Sequence, residues 1–413
     1  MFCAKCGTPI KSENQRFCDK CGSPIGQSGN PGPIPVNSQI YGMPQKEKGM
    51  AAVTSKINSL AGGKGAVNLH LRDLFSDAFK HHSAEESQEL FICGTKTTTP
   101  DIKDIVAEWP KPWLYSRVGL VLFIAFALML FIWKQFGNSN VLPDVLFIGS
   151  LAMPITVLIL FFEMNVPRNI GFIEIIKVFL IGGAMSLVVT LFLFQFIPGS
   201  GTEDIIPSIL TGLIEEIGKA VIVAFFIKRM NRRKWLLNGI VLGGAVGAGF
   251  AVFESAGYAL RNGIFGGLNV YEYCMTYGMG NSAVTYFFDG FYEQMIDNIT
   301  VRAFLSPGGH VAWAAVAGFA IIYALEDREF SWDVMINPKF LKIFVIPIIL
   351  HGLWDSFIPY LLPSILSIPI GLVVLTVAIW IVLLVFIDRG LHQVNEAIAT
   401  EPDNEPAFYP TEV

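Results

Sequence analysis

Seven ionisable side chains interrupt stretches of sequence that are otherwise apolar: Glu215, Glu216 and Lys219 in one stretch, Glu254 in the next, His310 in a third, and His351 with Asp355 in a fourth. Adjacent carboxylates, an ammonium and two imidazoles are what a hydrolase needs to deprotonate a water and return the proton to a leaving group. The same residues could instead bind Zn²⁺, which acidifies water when held by histidines and carboxylates. A third reading is structural, with Lys219 paired to Glu215 and His351 to Asp355 as buried ion pairs. Net carboxylate and two histidines remain after that pairing, so the layer as a whole points to chemistry.

The surrounding sequence explains why these groups must meet. Of the 413 residues, 53% are hydrophobic and only 15% charged, where a soluble chain carries about 25% charge. Mean hydropathy is +0.52, so lipid is the expected solvent. A net charge of -5 gives no basic face for a nucleic acid. Eight membrane helices are expected, at roughly 116–135, 143–163, 171–197, 205–228, 236–260, 303–325, 340–361 and 367–388. A charge at a helix centre costs about 2.5–3.5 kcal/mol on insertion scales, so seven facing lipid would cost on the order of 15–20 kcal/mol. That exceeds the net stability of a typical fold. The seven must therefore face one another around a polar cavity.

Spacing and depth agree with this. Glu215 and Lys219 are four residues apart, as are Glu254 and Tyr258, and His351 and Asp355, so each pair shares a helix face. Asp355 is expected to orient the His351 ring. With the N-terminus in the cytosol, twelve Lys and Arg near helix ends fall inside and three, Lys134, Arg261 and Arg302, outside. Both termini are thus expected in the cytosol, with the protein in the cell membrane. At 1.5 Å per residue, Glu215 and His351 then lie roughly 15 Å below the outer boundary, and Glu254, His310 and Asp355 nearer 10 Å.

These residues also resemble a known family. Glu215-Glu216-Ile-Gly-Lys219 matches an EExxK motif, and Phe253-Glu254-Ser-Ala-Gly-Tyr258 matches FExxxY. With His310 in GHVAW and His351 in HGLWD, residues 114–390 resemble the PrsW family of intramembrane proteases, distant relatives of the CAAX prenyl proteases. The resemblance implies an all-α polytopic membrane protein that cleaves membrane-anchored proteins, as in regulated proteolysis of anti-sigma factors. It also implies a glutamic-type site, with Glu215 or Glu216 and a histidine activating water and the other histidine or Tyr258 steadying the oxyanion. Lys219 then tunes the carboxylates. This metal-free mechanism is preferred, with a site of His310, His351 and carboxylates around a metal as the second choice. A transporter also carries midplane charges, but the two halves show no repeat. A non-catalytic sensor or scaffold is the remaining alternative.

Outside that region, Cys3, Cys6, Cys18 and Cys21 form two C-x2-C knuckles. Four thiolates with no open position suit one structural Zn²⁺, and residues 1–25 are read as a zinc ribbon able to bind a protein partner. No cleavable signal peptide is expected, because the chain opens directly on these knuckles. Residues 26–66, rich in Gly, Pro and Ser, are read as a flexible linker. Leu71, Leu74, Phe75, Ala78 and Phe79 suggest one amphipathic cytosolic helix in the 67–113 segment, with His81 and His82 solvated. Residues 391–413 are read as a cytosolic tail. Gly239, Gly243 and Gly247 mark a packing face, and Cys93 and Cys274 are read as unreactive thiols. The aromatic stretch 261–302 suggests an outer lid or an interfacial belt, and the Asn298-Ile-Thr300 sequon is taken as chance.

Overall fold

The computed structural model describes residues 48–196, 204–326, 328–365 and 368–400. Cys3, Cys6, Cys18 and Cys21 of the expected ribbon lie outside them. Two helices, α1 (Met50–Leu60) and α2 (Ala84–Phe91), precede the apolar region. The next five are α3 (Leu114–Phe136), α4 (Leu142–Met164), α5 (Phe172–Leu193), α6 (Ile205–Lys228) and α7 (Leu236–Thr276). Then follow α8 (Ala283–Leu305), α9 (His310–Leu325) and α10 (Pro338–Asp355). A two-stranded hairpin, β1 (Ser364–Ile365) and β2 (Ile368–Pro369), leads into α11 (Ile370–Thr400).

Among the described residues, six helical segments are long and apolar enough to cross a membrane, including α3, α5, α7 and α11. The other two of the eight expected spans, α6 and α10, are the ones that carry Glu215, Glu216 and Lys219, and Lys339, Lys342 and Asp355. Each of these two helices carries at least three charged residues.

The centre of the bundle is the first half of α7, buried without a break from Leu236 to Val252. Glycines make that burial possible. A Cβ at Gly239 would lie 2.3 Å from Gly318 O, one at Gly243 2.1 Å from Ala314 O, and one at Gly247 2.2 Å from His310 O. Each step of four up α7 matches a step of four down α9, so the predicted packing face is an antiparallel seam. Gly249 lies against Phe179 O in the same way, beside the π-turn Val178–Gly182 of α5.

Polar groups close the bundle at the end that holds the α7 N-terminus. Glu163 accepts the free N–H groups of Trp113, Leu114 and Tyr115, each at 2.9 Å, at the start of α3. Asn165, Asn169 and Asn238 form a buried side-chain network that ties the loop after α4 to the start of α7.

Several sequence expectations are corrected. The linker read over 26–66 contains α1, whose Thr54 and Asn58 are buried and which packs on α11. The single amphipathic helix is instead a short turn at Asp73–Ser76 followed by α2. His82 is partly buried, stacked on Trp113 at 3.9 Å, while His81 is exposed. The tail begins later than residue 391, because Val394 and Ala397 of α11 pack against Ile102, Ile105 and Trp235. Helix 236–260 continues to Thr276, 41 residues in all, or about 60 Å. That is twice the hydrocarbon thickness of about 30 Å. The expected outer lid is therefore the far end of α7 hairpinned against α8. Helix 340–361 ends at Asp355.

Candidate active site

Helix 303–325 is also shorter than expected, and the difference forms part of the site. The chain breaks at Ser306–Gly308, and α9 begins at His310. Pro307 has no N–H to offer a helix ladder, and a Cβ at Gly308 would lie 2.1 Å from Thr376 Oγ1 on α11. Trp380 Nε1 donates to Pro307 O at 3.0 Å, which holds the break against α11. Irregular backbone at membrane depth is tolerated where it lines a cavity. Here it lines a cavity of about 490 Å³, whose wall includes Glu215, Glu254, His310, His351 and Asp355.

The adjacent carboxylates on α6 have separate surroundings. Glu215 shares a face with Ser208 and Thr211, and all three line the cavity. Glu216 is fully buried on another face, with Lys219 Nζ 2.5 Å from its Oε1. The ammonium, expected beside Glu215, thus pairs three residues back along the helix. Lys219 Nζ also donates to His310 Nδ1 at 2.8 Å and lies 4.6 Å above the Phe250 ring.

Each imidazole is held by a carboxylate at one nitrogen. Glu216 Oε1 accepts from His351 Nδ1 at 2.8 Å, and Glu254 Oε2 accepts from His310 Nε2 at 2.8 Å. Those bonds put the ring protons there and leave His351 Nε2 and His310 Nδ1 as the basic nitrogens. Both nitrogens face Glu215 Oε2, at 3.5 Å and 3.9 Å, and His310 Nδ1 already accepts from Lys219 Nζ. Asp355 Oδ2 also lies 3.3 Å from His351 Nε2, where the expected pair forms only on a protonated ring, and Glu216 is the closer partner. Trp313 stacks on His351 at 4.2 Å.

Arg302 is the main omission from the sequence reading, which counted it with the outer charges. It pairs with Glu254 and donates through Nε to Ser255 Oγ at 3.0 Å. Its guanidinium lies 4.8 Å from the ring of Tyr258, which lines the cavity with Arg302. The clue was available in spacing. On the seam that matches Gly247 with His310, Glu254 falls beside Arg302.

Glu215, His310 and His351 each bring a ligand atom within 4.8 Å of the other two. A metal ion fits that donor set once Lys219 Nζ gives up His310 Nδ1. Glu215 Oε2 is buried without a hydrogen-bond partner, and carboxylates orient both imidazoles, as metal-ligating histidines require. Two histidines and one glutamate are also a known catalytic zinc set.

Paired acids and histidines around an inward cavity in a multi-pass helical bundle define a hydrolase that works inside the membrane. The sequence profile of the PrsW family intramembrane metalloproteases matches residues 173–386, a little over half of the chain. The chain belongs to this family and is an intramembrane protease. No curated protein and no solved structure matches it significantly. The family description names a metalloprotease, which weighs against the metal-free preference drawn from sequence.

Proposed function

We propose that this protease hydrolyses peptide bonds of membrane-anchored proteins at Glu215, His310 and His351, in the outer half of the bilayer of the cell membrane. The observation that carries this reading is the convergence of three buried groups from three helices, their basic nitrogens and free carboxylate oxygen turned to one point on the cavity wall. A metal bound by these three residues would supply Lewis acidity, activating a water and polarising the scissile carbonyl. Glu215 Oε1, the oxygen that a metal on Oε2 would leave free, takes the proton of the attacking water and delivers it to the leaving amine as the C–N bond breaks. Glu216 and Glu254 keep the two rings in their working tautomers. Lys219, Arg302 and Asp355 balance charge around them, and Tyr258 offers a hydroxyl on the cavity wall for the oxyanion.

In this reading α6 and α10 also span the membrane, giving eight helices over residues 114–390. Their charges meet inside the bundle instead of lipid. The inside-heavy distribution of Lys and Arg supports cytosolic termini and a cavity opening outward. Cuts are therefore expected near the outer end of the substrate's spanning helix, consistent with regulated proteolysis of a membrane-anchored factor. Mass spectrometry of products from a substrate tagged at both ends checks this. Cuts clustered at the cytosolic end would show the orientation to be wrong.

Cys3, Cys6, Cys18 and Cys21 hold one structural Zn²⁺ in the proposed ribbon, which recruits or senses a protein partner in the cytosol. Deleting residues 1–46, upstream of α1, is expected to leave basal turnover within about twofold, since a Gly- and Pro-rich stretch separates the knuckles from α1. Turnover lost in a variant that still inserts normally would mean the head acts directly on the site.

A further inference from the structure

The hairpin between α10 and α11 presents backbone that has no partner among the described residues. Ile370 N–H donates to Pro363 O at 3.1 Å, and Ser364 pairs with Pro369 and Ile365 with Ile368. Antiparallel strands alternate hydrogen-bonded and non-bonded pairs. Because 363/370 is bonded, 364/369 is not, so the N–H and C=O of Ser364 point away from β2. Two residues earlier Leu362 is also extended (φ -91°, ψ 151°), at the bend that leads into β1. On β2 the corresponding outward position is Pro369, which has no N–H. The hairpin thus has one usable edge, Leu362 to Ile365.

That edge is exposed and apolar, with Leu362 46% and Ile365 64% accessible. Backbone groups with no partner are expensive where apolar side chains meet lipid, so natural edges are normally covered or blunted. The edge also adjoins the site. Tyr360 and Leu372, just before and just after the hairpin, both line the cavity, and Ser364 lies within about 13 Å of Tyr360 along the chain. Gly371 packs directly on Pro359, which anchors the hairpin's base.

A peptide bond inside a helix has its carbonyl engaged and its faces crowded, so a protease must hold its substrate extended. We propose that the edge Leu362–Ile365 receives the unwound segment of the substrate as an added antiparallel or parallel β-strand, paired through the N–H and C=O of Leu362 and Ser364, and presents the adjoining peptide bond to Glu215. This rests on the protease reading above.

Two measurements on the full-length enzyme in liposomes test it. Ser364→Pro and Leu362→Pro remove N–H groups that the hairpin itself does not use. Each is expected to lower kcat/KM about tenfold or more, the scale of one lost backbone pairing. Against misfolding as the cause, the wild-type enzyme is also given synthetic substrates N-methylated at one backbone position at a time. Strand pairing predicts losses of about tenfold at alternate positions on one side of the cut, with the positions between them within about twofold, because successive N–H groups face opposite edges. Uniform sensitivity, no sensitivity, or full activity in both proline variants would overturn the inference while leaving the protease reading intact. A wild type that cleaves nothing would defeat both.

Discussion

Glu215→Gln should lower turnover of a tagged single-pass substrate by about two orders of magnitude or more, the scale for loss of a catalytic base, and should cost the purified protein one equivalent of bound metal. Glu216→Gln should behave differently, although the two residues are neighbours. Glu216 reaches the reaction through His351, whose Nδ1 it holds at 2.8 Å. Losing such an outer partner typically weakens metal affinity or activity by about 10–100-fold. Added zinc should therefore restore much of the Glu216→Gln activity and none of the Glu215→Gln activity. Turnover and metal content measured across a zinc titration separate the two. An active Glu215→Gln protein, or a Glu216→Gln protein that zinc does not rescue, would contradict the assignment.

Gly243→Val is expected to prevent accumulation of folded protein. Even its first carbon would lie 2.1 Å from Ala314 O, a backbone atom that no rotamer change can move aside. Opening the α7–α9 seam would loosen the most buried helix of the bundle, and overpacking of this kind costs about 1–3 kcal/mol or more. Gly247→Ala is a smaller change at a more sensitive place, because its new carbon would lie 2.2 Å from His310 O. Displacement by about 1 Å can cost about a hundredfold in rate, so turnover should fall further than the unfolding temperature suggests. Comparing Gly243→Ala with Gly247→Ala by thermal unfolding and turnover isolates the effect. Equal losses of activity at equal losses of stability would mean that the seam only supports the fold.

The site was legible from sequence because a charge in an apolar stretch is conspicuous wherever it falls. Glu215, Glu254, His310, His351 and Asp355 all line the cavity on that signal alone. Their partners were less legible. Residues three and four apart share a helix face, so Lys219 could serve either glutamate, and spacing alone does not show that it pairs with Glu216. Arg302 was misread because the loop boundary was drawn beside it. An arginine near an apparent helix end looks topogenic until its neighbour across the seam is known. Helix ends suffered generally, since the Ser306–Gly308 break is too short to lower a span-length average of hydropathy, which falls only gradually along α7. The two-residue strands of the hairpin carry no periodicity to read. The cysteine head rests on spacing alone.

The uneven spread of charge among the helices bears on how the protein is made. If α6 spans the membrane, it must enter with Glu215, Glu216 and Lys219 on board, at roughly 8–10 kcal/mol for three charges considered singly. A helix with that burden has little reason to leave the insertion machinery before α7 and α9 offer it partners. The last of the reacting groups, His351, arrives with α10, near the end of synthesis. A chain that stalls or is truncated before that point holds carboxylates and one imidazole, and no working site. Proteolytic competence is thus coupled to completed insertion, which protects the membrane proteins being assembled alongside a protease that is still unfinished.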